Sequence, residues 1–85
     1  MTTTYIITAR HHFYGLRDVT DIAGWDEDAR GGRGAPAIYD TRAQAVAALK
    51  AIEDAIYYTR HNESGRPTYR IRTVASLPAY LAVQL

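Results

Sequence analysis

The stretch Asp40-Thr41-Arg42-Ala43-Gln44-Ala45-Val46-Ala47-Ala48-Leu49-Lys50-Ala51-Ile52-Glu53-Asp54-Ala55-Ile56-Tyr57-Tyr58-Thr59-Arg60 decides the fold. Thr41 with Gln44 three residues on fits the reciprocal cap in which a hydroxyl accepts from the third helical N–H and a glutamine side chain reaches back. Asp40 is an equally good N-cap. The pattern predicts a helix over about 41–60. At ~100° per residue, Ala45, Ala48, Leu49, Ile52, Ile56 and Thr59 gather on one face, with Lys50, Glu53, Asp54 and Tyr57 on the opposite flank. Alanines at 45, 48, 51 and 55 keep the helix thin enough to approach a sheet closely. Arg60 and His61 sit at the negative end of the helix dipole, and Asn62 or Gly65 suits the left-handed stop.

Downstream, the turn 62–67 leads into Thr68-Tyr69-Arg70-Ile71-Arg72-Thr73-Val74-Ala75, where Tyr69, Ile71 and Thr73 alternate with Arg70 and Arg72. That period of two predicts a half-buried strand, one face toward the helix and the arginines toward solvent. The tail 77–85 is apolar enough to pack and reads as a short strand or extended segment after Pro78. Upstream, 24–36 carries charge, glycine and proline without periodicity, and reads as a flexible acidic and glycine-rich loop. Residues 19–23 fit a short strand or a helix-spaced segment, the strand being preferred. At the start, Thr2 to Arg10 is a β-branched and aromatic run with two apolar faces, Tyr5/Ile7/Ala9 and Thr4/Ile6/Thr8, which predicts a strand central in the sheet or covered on both sides. The order gives a two-layer α+β domain: one long helix on a small, mainly antiparallel sheet of three to four strands.

Composition narrows the function. Eighty-five residues, 47% hydrophobic and 22% charged with net charge +1, make one ordinary globular domain. No apolar run approaches the ~20 residues of a membrane span, and the first residues lack a secretory pattern, so a cytoplasmic protein is expected. Without cysteine there is no thiolate nucleophile, disulfide or cysteine-based metal site. Ile, Leu, Val and Phe number 17 against 14 alanines, and seven tyrosines supply much of the remaining apolar surface.

Four groups carry potential chemistry. His11 and His12 are adjacent, hence on opposite faces of a strand, and His61 is far along the chain, so no metal site is expected. Asp26, Glu27 and Asp28, behind Asp18 and Asp21, form an acidic run without the calcium-loop spacing, readable as a solvated loop or a protein-binding epitope. Arg30-Gly31-Gly32-Arg33-Gly34 is a single glycine–arginine element of the kind that tracks single strands, its charge offset by the acidic triplet. Tyr57, Tyr58, Arg60, Arg66, Tyr69, Arg70 and Arg72 form the richest set, suited to a protein interface or to phosphates and bases. A net charge of +1 favours the protein interface. With serine only at 64 and 76 and no nucleophile–base order, no catalytic residues and no cofactor are expected.

The frame Tyr5-Ile6-Ile7, then Ile38-Tyr39-Asp40-Thr41-Arg42-Ala43-Gln44-Ala45, then Arg66-Pro67-Thr68-Tyr69-Arg70-Ile71 resembles small α+β proteins of bacteriophages and mobile elements in high-G+C bacteria. Some proteins of that kind are anti-CRISPR proteins, which bind a Cas effector or surveillance complex and block recognition or cleavage of DNA without being enzymes. The resemblance implies a non-enzymatic inhibitor in the host cytoplasm. Its partner-binding residues would be Asp26, Glu27 and Asp28 against a DNA-binding groove, or Tyr57, Tyr58, Arg60, Tyr69, Arg70 and Arg72 against a protein face. This chain is not strongly acidic, so any DNA mimicry would be local to the triplet. The alternative is a small nucleic-acid-binding module using Arg30, Arg33, Arg70 and Arg72, and a homodimer through the open sheet face is a third expectation.

Overall fold

Tyr5–His11 forms strand β1, the middle of a three-stranded antiparallel sheet, between Val19–Ala23 on one side and Thr68–Thr73 on the other. The computed structural model describes residues 3–11, 18–59 and 67–85, with the backbone alone for 56–59. Strand β2 is Val19–Ala23. Next come the two-residue strand β3 (Trp25–Asp26), the short turn α1 (Ala29–Gly32), in which Arg30 (φ +54°) and Gly31 (φ +67°) are left-handed, and the equally short β4 (Ala35–Pro36). Helix α2 spans Arg42–Thr59, strand β5 spans Thr68–Thr73, and helix α3 spans Ala79–Ala82. The fold is α+β, with α2 packed on β1 and β5.

The start of α2 is set by the predicted cap. The Gln44 backbone N–H donates to Thr41 Oγ1 at 3.1 Å, while Gln44 Oε1 accepts from the N–H groups of Thr41 at 3.2 Å and Asp40 at 3.0 Å. Of the two candidate caps the threonine is used, and the N–H groups of Asp40, Thr41 and Gln44 at the helix entrance are all paired. Ala45 is fully buried and Ala48, Leu49 and Ile52 are half-buried, while Lys50, Glu53 and Asp54 are exposed. The chain entering α2 is pinned to the sheet by Tyr39, which exchanges two backbone hydrogen bonds of 2.8 Å with Tyr5. Tyr39 extends the ladder on the side where β2, whose pairing begins at Ile7↔Ala23, no longer reaches.

Because β1 is central, its alternation assigns the two sheet faces. Ile7 pairs with Ala23 and Ile71, and Ala9 with Asp21 and Tyr69, on the inner face toward α2. Ile6 pairs with Arg72, Thr8 with Ile22 and Arg70, and Arg10 with Thr20 and Thr68, on the outer face. Ile6, Ile7 and Thr8 are all buried, so β1 is covered on both sides as its sequence predicts. The tail contributes Leu81, only 1% exposed.

Four expectations need correction. Residues 24–36 are not a loop throughout: at their ends Trp25↔Pro36 and Asp26↔Ala35 pair as a second, two-stranded sheet. Gly24 (φ +91°) turns the chain out of β2, and its carbonyl accepts the Ala37 N–H at 3.2 Å. Strand β5 ends at Thr73, where Val74–Ser76 tighten into a 3₁₀ turn and the Val74 N–H returns to the Thr4 carbonyl at 3.0 Å. The tail after Pro78 is helical: the Leu81 and Ala82 N–H groups both donate to the Pro78 carbonyl at 3.0 Å. Arg70 is exposed as expected, but Arg72 is half-buried.

Candidate functional site

The outer sheet face holds a cavity of about 140 Å³ lined by Thr8, Arg10, Thr20, Thr68, Arg70 and Arg72. Each lining residue comes from the same side of the pleat. The register sets Thr8 opposite Arg70, Arg10 opposite Thr68 and Thr20, and Arg72 one pleat further along β5. Arg70 and Arg72 are thus about 6.6 Å apart along one strand, both projecting outward. Thr8 Oγ1 donates to the Arg70 carbonyl at 3.4 Å, which ties the cavity floor to β5.

Guanidinium and hydroxyl groups make up the polar lining among the described residues, with no carboxylate among them. Arg10 is offset by its ion pair with Asp18 (2.8 Å) at the rim. Arg72 Nε is shielded from solvent and has no hydrogen-bond partner among the described residues. A buried donor left unpaired costs on the order of 1–3 kcal/mol. Guanidinium forks and hydroxyls are donors suited to planar or tetrahedral oxyanions. About five waters' worth of liquid volume is available, enough to admit a phosphate-sized group.

Beside it lies a second, more open cavity of about 450 Å³ lined by Asp18, Val19, Thr20 and Tyr80. Thr20 borders both. Tyr80, on α3, is 56% exposed, so an aromatic face stands next to the arginine cluster across one threonine.

The β3–β4 hairpin forms a separate surface. Trp25 is 61% exposed, yet its indole is held against Gly34, where an added Cβ would collide with the ring. Gly34 also has φ +87°, so two independent constraints require glycine there. Asp26, Glu27 and Asp28 are all exposed beside the tryptophan, and Asp26 Oδ1 accepts the Asp28 N–H at 3.1 Å. Arg30 and Arg33 are exposed on the same hairpin and do not line the arginine cavity.

Of the residues singled out in the sequence, the structure brings Arg70 and Arg72 together on the outer face. Tyr69 belongs to the inner face, half-buried opposite Ala9, and is separated from them by the sheet. The side chains of Tyr57 and Tyr58, along with Arg60, Arg66, His12 and His61, lie outside the described residues. Arg10, Thr8, Thr20 and Thr68 were missed. Thr8 and Arg10 share an alternation in β1, but only the pairing register with β5 could place them beside Arg70. Among the described residues no three His, Cys, Asp or Glu side chains group as a metal site, and no helix is long and apolar enough to cross a membrane. Comparison with protein-family models, curated proteins and solved structures yields no match.

Proposed function

We propose that this protein acts by binding and not by catalysis, and that it inhibits a host defence complex in the bacterial cytoplasm by direct protein contact, as an anti-CRISPR-like protein does. The nature of the complex is taken from the resemblance of the sequence to small phage proteins. The observation that carries the binding reading is the β3–β4 hairpin, where an exposed Trp25 held against Gly34 stands beside Asp26, Glu27 and Asp28. A fixed aromatic flanked by carboxylates suits a basic groove: the ring supplies an anchor at low entropic cost, and the charges steer it toward arginine- and lysine-lined surfaces. The test is capture of a purified Cas effector or surveillance complex by the protein, with and without nuclease. Stoichiometric capture that survives nuclease is expected, weakened about thirtyfold or more by Trp25→Ala and by joint reversal of Asp26, Glu27 and Asp28 to lysine. Unchanged capture by both variants would remove the hairpin from the interface, and capture that disappears with nuclease would remove direct protein contact.

One observation favours a second reading, a nucleic-acid-binding module. The cavity lined by Arg10, Arg70 and Arg72 gathers donors for an anion on the outer sheet face. Here Arg30 and Arg33, on the hairpin, are not part of the anion site.

A further inference from the structure

We infer that the outer sheet face is a nucleotide-unit site, with the phosphate seated in the arginine–threonine cavity and the base laid against Tyr80. The inference deepens the nucleic-acid reading and rests on it. The lining comes first: Arg70 and Arg72 from β5 and Thr20 from β2 offer donors around a cavity of about 140 Å³, whose floor is Thr8, its own hydroxyl proton given to the Arg70 carbonyl. Arg70 supplies the reach, since its side chain is exposed on the outer face at the cavity while Arg72 beside it is half-buried, and guanidinium N–H groups are strong donors to an oxyanion. Thr20 then links the cavity to the groove bearing Tyr80, so a ligand anchored by phosphate in the first would project its next group into the second. The carboxylate at that boundary, Asp18, is held by Arg10 and so repels an incoming anion less than a free one would.

The phosphate belongs to an unpaired strand or to a free nucleotide, because a base reaches an aromatic side chain on a sheet only when it is out of a duplex stack. A protein of net charge +1 gains little from general polyanion attraction, so a local site for one or two phosphates is the form that binding would take.

Three probes at low salt distinguish the sources: inorganic phosphate, thymidine 5′-monophosphate and an oligothymidylate of about eight nucleotides. Affinity is read by fluorescence anisotropy with labelled oligonucleotide and by amide chemical-shift changes for the small ligands. The expected result is shift changes at Thr20, Thr68 and Arg70 with all three probes, and the tightest binding by the oligonucleotide. Arg70→Gln and Tyr80→Ala, both at exposed positions, should each weaken the oligonucleotide about fivefold or more, while Tyr80→Ala leaves inorganic phosphate unaffected. Amide spectra of the variants establish that both are folded. If the monophosphate binds as tightly as the oligonucleotide, the source is the free nucleotide. Oligonucleotide binding that ignores both substitutions would overturn this site while leaving the nucleic-acid reading standing on another surface. No binding by any probe would overturn both. Binding of inorganic phosphate alone would assign the cavity to a phosphate on a different carrier, such as a phosphopeptide, and overturn the nucleotide assignment.

Discussion

Gly34 shows how much one residue can hold in so small a domain. Its φ of +87° is open to glycine and costly for other residues, and the space a Cβ would fill is taken by the Trp25 indole. Gly34→Ala therefore has to shift the ring, the backbone or both. The expected result is a loss of about 1–3 kcal/mol in chemical denaturation with a change in tryptophan emission, and an unchanged emission spectrum would show that the ring is not held there. Tyr39 makes a different prediction. Burial raises its phenol pKa above 10.0, so the folded chain binds that proton more tightly than the unfolded chain does. The stabilising contribution is complete below about pH 10 and is lost as pH rises through the higher folded value. Tyr39→Phe should flatten this alkaline loss of stability in urea titrations at stepped pH; an identical slope in the variant would assign the loss to other groups.

Elements show which sequence signals survive folding. Helix α2 was legible because an 18-residue segment offers enough turns for a period to appear and because Thr41 and Gln44 cap it through local contacts. β1 was legible from local composition, its first half being the β-branched and aromatic run Tyr5-Ile6-Ile7-Thr8. The hairpin was not. Its strands are two residues each, too short for any alternation, and its geometry comes from Gly24, Gly34 and the packing of Trp25. Nor was α3, a four-residue helix starting after Pro78, in which Leu81 is the buried side chain. Among the described residues, Leu81 is one of the three largest fully buried side chains, beside Ile6 and Ile7, so the tail is part of the core. Leu81→Ala should cost roughly 2–4 kcal/mol by denaturation. A loss below about 0.5 kcal/mol would mean that the tail is not integral to the fold.

Across the whole molecule, the net charge of +1 conceals two opposed surfaces. Asp26, Glu27 and Asp28 are exposed on the hairpin, whereas Arg10, Arg70 and Arg72 line the outer sheet face. A total near zero argues against broad attraction to polyanions but says nothing of a local site. The salt dependence of oligonucleotide affinity measures this directly. A log–log slope between about −0.7 and −1.4 is expected for one or two phosphates on a single strand, and a much steeper slope would require a wider basic surface than the cavity offers.

The sequence by itself determined the class of the domain: an internally capped helix and β-branched strands whose patterns depend on neighbours a few residues away. It also marked Arg70 and Arg72 as outward-facing, since alternation is a local property. Only the tertiary structure decided what those arginines face. Thr8 and Arg70 are 62 positions apart, and their contact depends on the β1–β5 register, where a shift of one residue would send every side chain of the strand to the other face. The shielding of Arg72, the placing of Tyr80 beside the cavity and the seating of Trp25 on Gly34 likewise come from burial between distant segments, which no local period encodes.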